Sequence, residues 1–127
     1  MDAPVKIELE FTLNISIKRL YDSISTPSGL SDWFADDVNI KGKDYTFFWD
    51  GDERIASMLA KKKEAFIRFK WADDEDLESY FEFKIINDEL TSDVSLVVTD
   101  FAPKDEIKEI TDLWNKQVAN LKHVLGA

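Results

Sequence analysis

The sequence predicts an α+β fold: a curved, seven-stranded antiparallel sheet wrapped around a long C-terminal helix, with two short helices after the first strand. Three observations predict it. Residues 103–125 carry apolar side chains at helical spacing, residues 5–13 alternate apolar and polar, and residues 38–101 repeat short alternating runs across brief turns. Turns that short join antiparallel neighbours.

The first strand carries Val5, Ile7, Leu9, Phe11 and Leu13 on one face and Lys6, Glu8, Glu10 and Thr12 on the other. Asn14 or Ser16 then caps a short helix in which Ile17, Leu20, Tyr21 and Ile24 share a face. Thr26 as cap and Pro27 as first helical residue open a second short helix bearing Leu30, Trp33 and Phe34. Strands follow near 38–41, 44–49, 54–60, 65–71, 78–86 and 93–100. The connections between them fall at Gly42-Lys43, Asp50 to Asp52, Lys61 to Glu64, Ala72 to Leu77 and Asn87 to Ser92. Tyr45, Phe47 and Trp49 share a face, as do Ile67, Phe69 and Trp71, then Phe81, Phe83 and Ile85, then Val94, Leu96 and Val98. Strand 54–60 has no clear phase. Ile55 and Leu59 point one way, Ala56, Met58 and Ala60 the other, and Ser57 faces inward in one of the two registers.

The closing helix, Pro103 to Leu125, aligns Ile107, Ile110, Trp114, Val118, Leu121 and Leu125 in one stripe. Asp105, Glu109, Asp112, Lys116 and His123 occupy the opposite face. Acidic residues at its start, Lys122 and His123 near its end and Gly126 as stop mark both termini. At about 1.5 Å per residue it spans roughly 33 Å. A helix of that length needs a long apolar partner, and the aromatic sheet face supplies one.

The length of 127 residues fits a single domain, 1–127, with a core that needs no staples. With no cysteine, disulfides, thiolate metal sites and a thiol nucleophile are excluded. Sixteen basic and 26 acidic residues give a net charge of −10, which disfavours nucleic acid and anionic lipid surfaces. Lys61-Lys62-Lys63 reads as a solvated turn. The pattern at the N-terminus indicates neither signal peptide nor membrane insertion, and the expected location is cytoplasmic.

Further motifs lie along the same frame. Ser25-Thr26-Pro27-Ser28-Gly29-Leu30-Ser31-Asp32-Trp33-Phe34 resembles a T-P-x-x-L-x-x-W-F second helix. Phe66 to Trp71 resembles a mid-chain strand ending in Trp, and Trp114 with Leu121 and Leu125 a closing-helix pattern. Together these resemble the START-like (helix-grip, SRPBCC) superfamily, near its bacterial subgroup related to activators of the heat-shock protein 90 ATPase. The resemblance implies an apolar cavity between sheet and helix. It also implies a choice among binding of lipids or aromatic compounds, contact with a chaperone, and occasional catalysis, so the fold alone does not name the function.

No residue is assigned a catalytic role. The only histidine, His123, lies on the polar face, and no nucleophile elbow, phosphate loop or dinucleotide fingerprint occurs. The acidic runs at Asp50 to Glu53 and Asp73 to Asp76 lack calcium-loop spacing, so neither a metal nor a cofactor is expected. The inner polar candidates are Tyr45, Ser57 and Thr111. The expected function is a non-catalytic domain holding a small hydrophobic ligand, a lipid or an aromatic compound. The expected site is Trp33, Phe47, Trp49, Phe69, Trp71, Phe81, Ile110, Thr111 and Trp114. The alternative is a protein-binding module, chaperone-associated, with Phe48, Phe66 and Tyr80 as an outward patch.

Overall fold

The computed structural model describes residues 3–127. Their order is β1 (Val5–Leu13), α1 (Ile17–Ser25), α2 (Pro27–Trp33), β2 (Asp37–Lys41), β3 (Asp44–Trp49), β4 (Asp52–Lys62), β5 (Phe66–Trp71), β6 (Phe81–Asn87), β7 (Val94–Ala102) and α3 (Ile107–Leu125). The strands form one antiparallel sheet in the order β1-β7-β6-β5-β4-β3-β2, so only the β1–β7 pair is non-sequential. The α+β helix-grip architecture follows, with the two short helices and α3 against one face of the sheet.

Local chemistry sets the turns. Thr26 ends α1 and begins α2: its hydroxyl donates to the Asp22 carbonyl at 2.7 Å and accepts from the Gly29 N–H at 3.0 Å. Gly42 (φ 61) opens the two-residue turn between β2 and β3. Asp50 (φ 42) and Gly51 (φ 89) both take positive φ, as a type I′ hairpin requires, and Trp49 therefore pairs directly with Asp52. That pairing fixes the phase of β4. Arg54, Ala56 and Met58 share the inner face with Trp49, and Ala56 is fully buried between Tyr45 and Trp71. Ser57 faces outward and donates to Asp44 Oδ1 at 3.0 Å, so it is not an inner polar group. A bulge between Met58 and Ala60 leaves Leu59 without a partner on β5.

Several boundaries differ from expectation, and β4 begins at Asp52 while β7 runs on to Ala102. Lys61 and Lys62 continue β4, paired with Ile67 and Phe66, so the basic run is only partly a turn. β6 begins at Phe81 rather than near 78, because Lys70 Nζ donates to the carbonyls of Asp76 and Ser79 and holds that stretch as a loop. Residues Lys104–Glu106 form a 3-10 turn before α3, and Pro103 precedes it in an extended conformation. The far end matches: Gly126 (φ 68) is left-handed, and the N–H groups of Gly126 and Ala127 close on the His123 and Lys122 carbonyls.

Trp114, Val118 and Leu121 of α3 are buried against the sheet's inner wall. The deepest layer is Phe47, Phe69, Phe81 and Phe83 with Leu20, Ile24 and Leu30 from the short helices. The outward aromatics are dispersed. Phe48 is opposite Glu53 and Phe66 is opposite Lys62, and the length of β4 between those partners is roughly 30 Å. Tyr80 is covered by Phe101 (5.0 Å) and by the Arg68 guanidinium (4.1 Å), which also pairs with Glu82 at 2.8 Å. Phe48, Phe66 and Tyr80 therefore do not make one patch.

Candidate functional site

Between the β3–β4–β5 end of the sheet and the first half of α3 lies a half-open cavity of about 490 Å3. Its apolar walls are Phe34, Trp49, Trp71, Ile110, Leu113 and Trp114, and its polar groups are Asp52, Glu53, Arg54, Asp100 and Gln117. Two of the rings are fixed by their indole nitrogens. Trp49 Nε1 donates to the Phe34 carbonyl at 2.7 Å, and Trp114 Nε1 donates to Asp100 Oδ2 at 2.9 Å. Phe34 lies under both, stacked on Trp114 at 5.8 Å and edge-on to Trp49 at 5.5 Å.

Asp100 is the inward carboxylate of β7, continuing the face of Leu96 and Val98. Burial pushes its carboxyl above the usual range. The Trp114 N–H, the Phe101 N–H and the more distant Arg54 oppose that shift, and Asp74 adds to it. A raised folded-state pKa means that the native protein holds this proton more tightly than the unfolded chain does. Its contribution is then fully present below the ordinary carboxylate pKa of about 3.9 and is lost as pH rises through the folded value. The stability of the protein relative to an Asp100→Asn variant is therefore expected to fall as pH rises above about 4. Urea unfolding of both proteins at each pH checks it; a constant difference would place the Asp100 pKa at its ordinary value.

Arg54 stands at the mouth. Its Nε and Nη2 donate to both oxygens of Asp73 at 2.9–3.3 Å, and its Cζ is 4.1 Å from the centroid of Trp71. Hydrogen bonding from Arg54 lowers the pKa of the exposed Asp73 carboxyl.

Of the residues expected to form the site, the structure brings Trp49, Trp71, Ile110 and Trp114 together around the cavity. Phe47, Phe69 and Phe81 are in the packed layer behind it, and Trp33 is buried with its Nε1 on the Ser23 carbonyl at 2.8 Å. Thr111 is half-buried on α3 outside the lining. Tyr45, the other inner polar candidate, is buried with its hydroxyl donating to the Ser25 carbonyl at 3.2 Å. Sequence reasoning missed Phe34, Asp52, Glu53, Arg54, Asp100, Leu113 and Gln117 as lining residues. The Asp-Gly turn signature would have placed Arg54, and extending the Val94-Leu96-Val98 alternation by one step would have placed Asp100. His123 is exposed and away from these residues. The arrangement offers ring faces and one inward carboxylate, without a nucleophile and base in contact.

No curated protein matches the chain. A solved structure from Bacteroides fragilis, BfR322, is 44% identical over 94% of this chain and 90% of its own, with a TM-score of 0.69. The Aha1 dimer of Colwellia psychrerythraea is similar in fold at 16% identity, covering 95% and 96% of the two chains with a TM-score of 0.80. DynU16, from the dynemicin biosynthetic locus, is similar at 15% identity over 96% of this chain and 47% of its own, with a TM-score of 0.81. The family model described as the START-like superfamily domain matches residues 1–127, and the chain belongs to that superfamily.

Proposed function

We propose that the protein is a single, non-catalytic binding domain that holds a small hydrophobic ligand between the sheet and α3. One observation carries this reading: beside a fully buried aromatic layer, the β3–β4–β5 end leaves about 490 Å3 walled by four aromatic rings. That volume falls within the range of small-molecule sites. START-like domains typically bind ligands, which supports the same reading. Trp49 and Trp114 are pinned before any ligand arrives, which limits the ordering that opposes binding, and each buried Å2 of apolar area contributes about 25 cal/mol before association costs.

Calorimetric titration with a neutral naphthalene alcohol and with a medium-chain fatty alcohol tests the reading. Saturable heat is expected from at least one of them. A Leu113→Trp variant, which fills the mouth from an exposed position on α3, is expected to bind at least about tenfold more weakly with an unchanged unfolding midpoint. Absence of saturable binding by the unmodified protein, or full affinity in the filled variant, would remove the cavity from consideration.

A further inference from the structure

The charged groups around the cavity are unevenly matched. Asp52 and Glu53 are on its rim and Asp100 is inside it, whereas the one lining cation, Arg54, is engaged by Asp73 and lies over Trp71. Asp100 accepts one N–H on each oxygen, from Phe101 and from Trp114. Among the described residues it has no cationic partner within salt-bridge distance. An ionised carboxylate can take about four hydrogen bonds, so acceptor capacity is left over. The walls beside it are the rings of Trp114, Phe34, Trp49 and Trp71; aromatic faces attract positive charge, as the Arg54 guanidinium over Trp71 already shows. A ligand carboxylate or phosphate entering here would meet three carboxylates, on a protein of net charge −10. A ligand ammonium would meet a carboxylate that lacks a counter-ion.

We propose that the cavity selects amines: an apolar, aromatic molecule with one protonated nitrogen, which pairs with Asp100 while its ring system lies between Trp49, Trp71 and α3. The inference rests on the binding reading above and adds the ligand's charge. The pairing also offsets the cost of burying Asp100. The groups that face Asp100 are the Phe101 N–H on β7, Trp114 on α3, Arg54 on β4 and Asp74 in the β5–β6 loop, with Asp52 and Glu53 at the rim. Of these, Arg54 opposes an incoming ammonium, and its contact with Asp73 limits that opposition.

Three probes with one body separate the possibilities: naphthalen-2-ylmethanamine, naphthalen-2-ylmethanol and naphthalene-2-carboxylate, titrated calorimetrically into the full chain at neutral pH. The amine is expected to bind at least about tenfold more tightly than the alcohol, and the carboxylate most weakly. Asp100→Asn is expected to erase the amine's advantage and leave the alcohol's affinity in place, while Glu53→Gln retains most of the advantage. In the unmodified protein the amine's advantage is expected to shrink as pH falls through the Asp100 titration, with the alcohol unaffected, so the inference is testable even if Asp100→Asn folds poorly. Equal binding of amine and alcohol would overturn the amine selection and leave the cavity standing. Binding by none of the three would overturn the amine selection, and the fatty-alcohol titration then decides separately whether the cavity reading stands. An advantage that survives Asp100→Asn would assign the selection to the rim and refute the role of Asp100.

Discussion

Replacing Phe69 with alanine is expected to destabilise the protein by about 3 to 5 kcal/mol. Phe69 is fully buried on β5, with ring centroids of Tyr45 at 4.8 Å, Phe81 at 5.0 Å, Phe47 at 6.1 Å and Phe83 at 6.3 Å. These neighbours belong to β3 and β6, whose backbones are tied into the sheet on both sides, so they cannot collapse into the space left by the ring. Lost transfer energy and an unfilled cavity therefore add. Domains of this size have roughly 5–15 kcal/mol in total, so the variant would retain only a fraction of its margin. Equilibrium urea unfolding measures it; a midpoint shift equivalent to under about 1 kcal/mol would mean that the aromatic layer is loosely packed.

The second large effect is expected from Gly29→Ala, at about 3 kcal/mol, the upper end of what an overpacked site costs. Helix propensity alone predicts the opposite sign, since alanine is the better helix former. Geometry decides against propensity here. A Cβ at residue 29 would stand 2.2 Å from the Asp22 carbonyl oxygen, 2.7 Å from Ser23 Cα and 2.8 Å from Thr26 Oγ1. Two of those three atoms are backbone atoms of α1, so relief requires parting α1 from α2 and breaking the Thr26 bonds that join them. Thermal unfolding of the variant gives the sign directly. A neutral or raised melting temperature would show that the two helices can separate at little cost.

Element order was legible because it rests on periodicity and caps. The stripe on α3, the alternation in β1 and the Thr26-Pro27 junction each express one local rule, and tertiary packing did not override them. The phase of β4 was not legible from its own residues. Its pattern is poor, and the deciding fact lies outside it, in the backbone angles of Asp50 and Gly51. For the site, alternation tells which side of the sheet a ring is on and says nothing of depth. Phe47, Phe69 and Trp71 are all inward, yet the first two are fully buried in the packed layer, whereas Trp71 lines the open end. Asp100 ends the alternating run read from the sequence, where a carboxylate is ordinarily a solvated strand end. β7 runs on to Ala102, so the alternation of Val94, Leu96 and Val98 carries through Asp100 and turns its carboxylate inward.

The carbonyl of Phe34 accepts from Trp49 on the sheet and also, at 3.4 Å, from Gln117 Nε2 on α3. One oxygen atom thus laces three separate pieces of the chain at the rear of the chamber. Spreading them would sever both bonds at once, so under the proposed function the chamber would act as a gauge that sorts guests by girth before any charge is read.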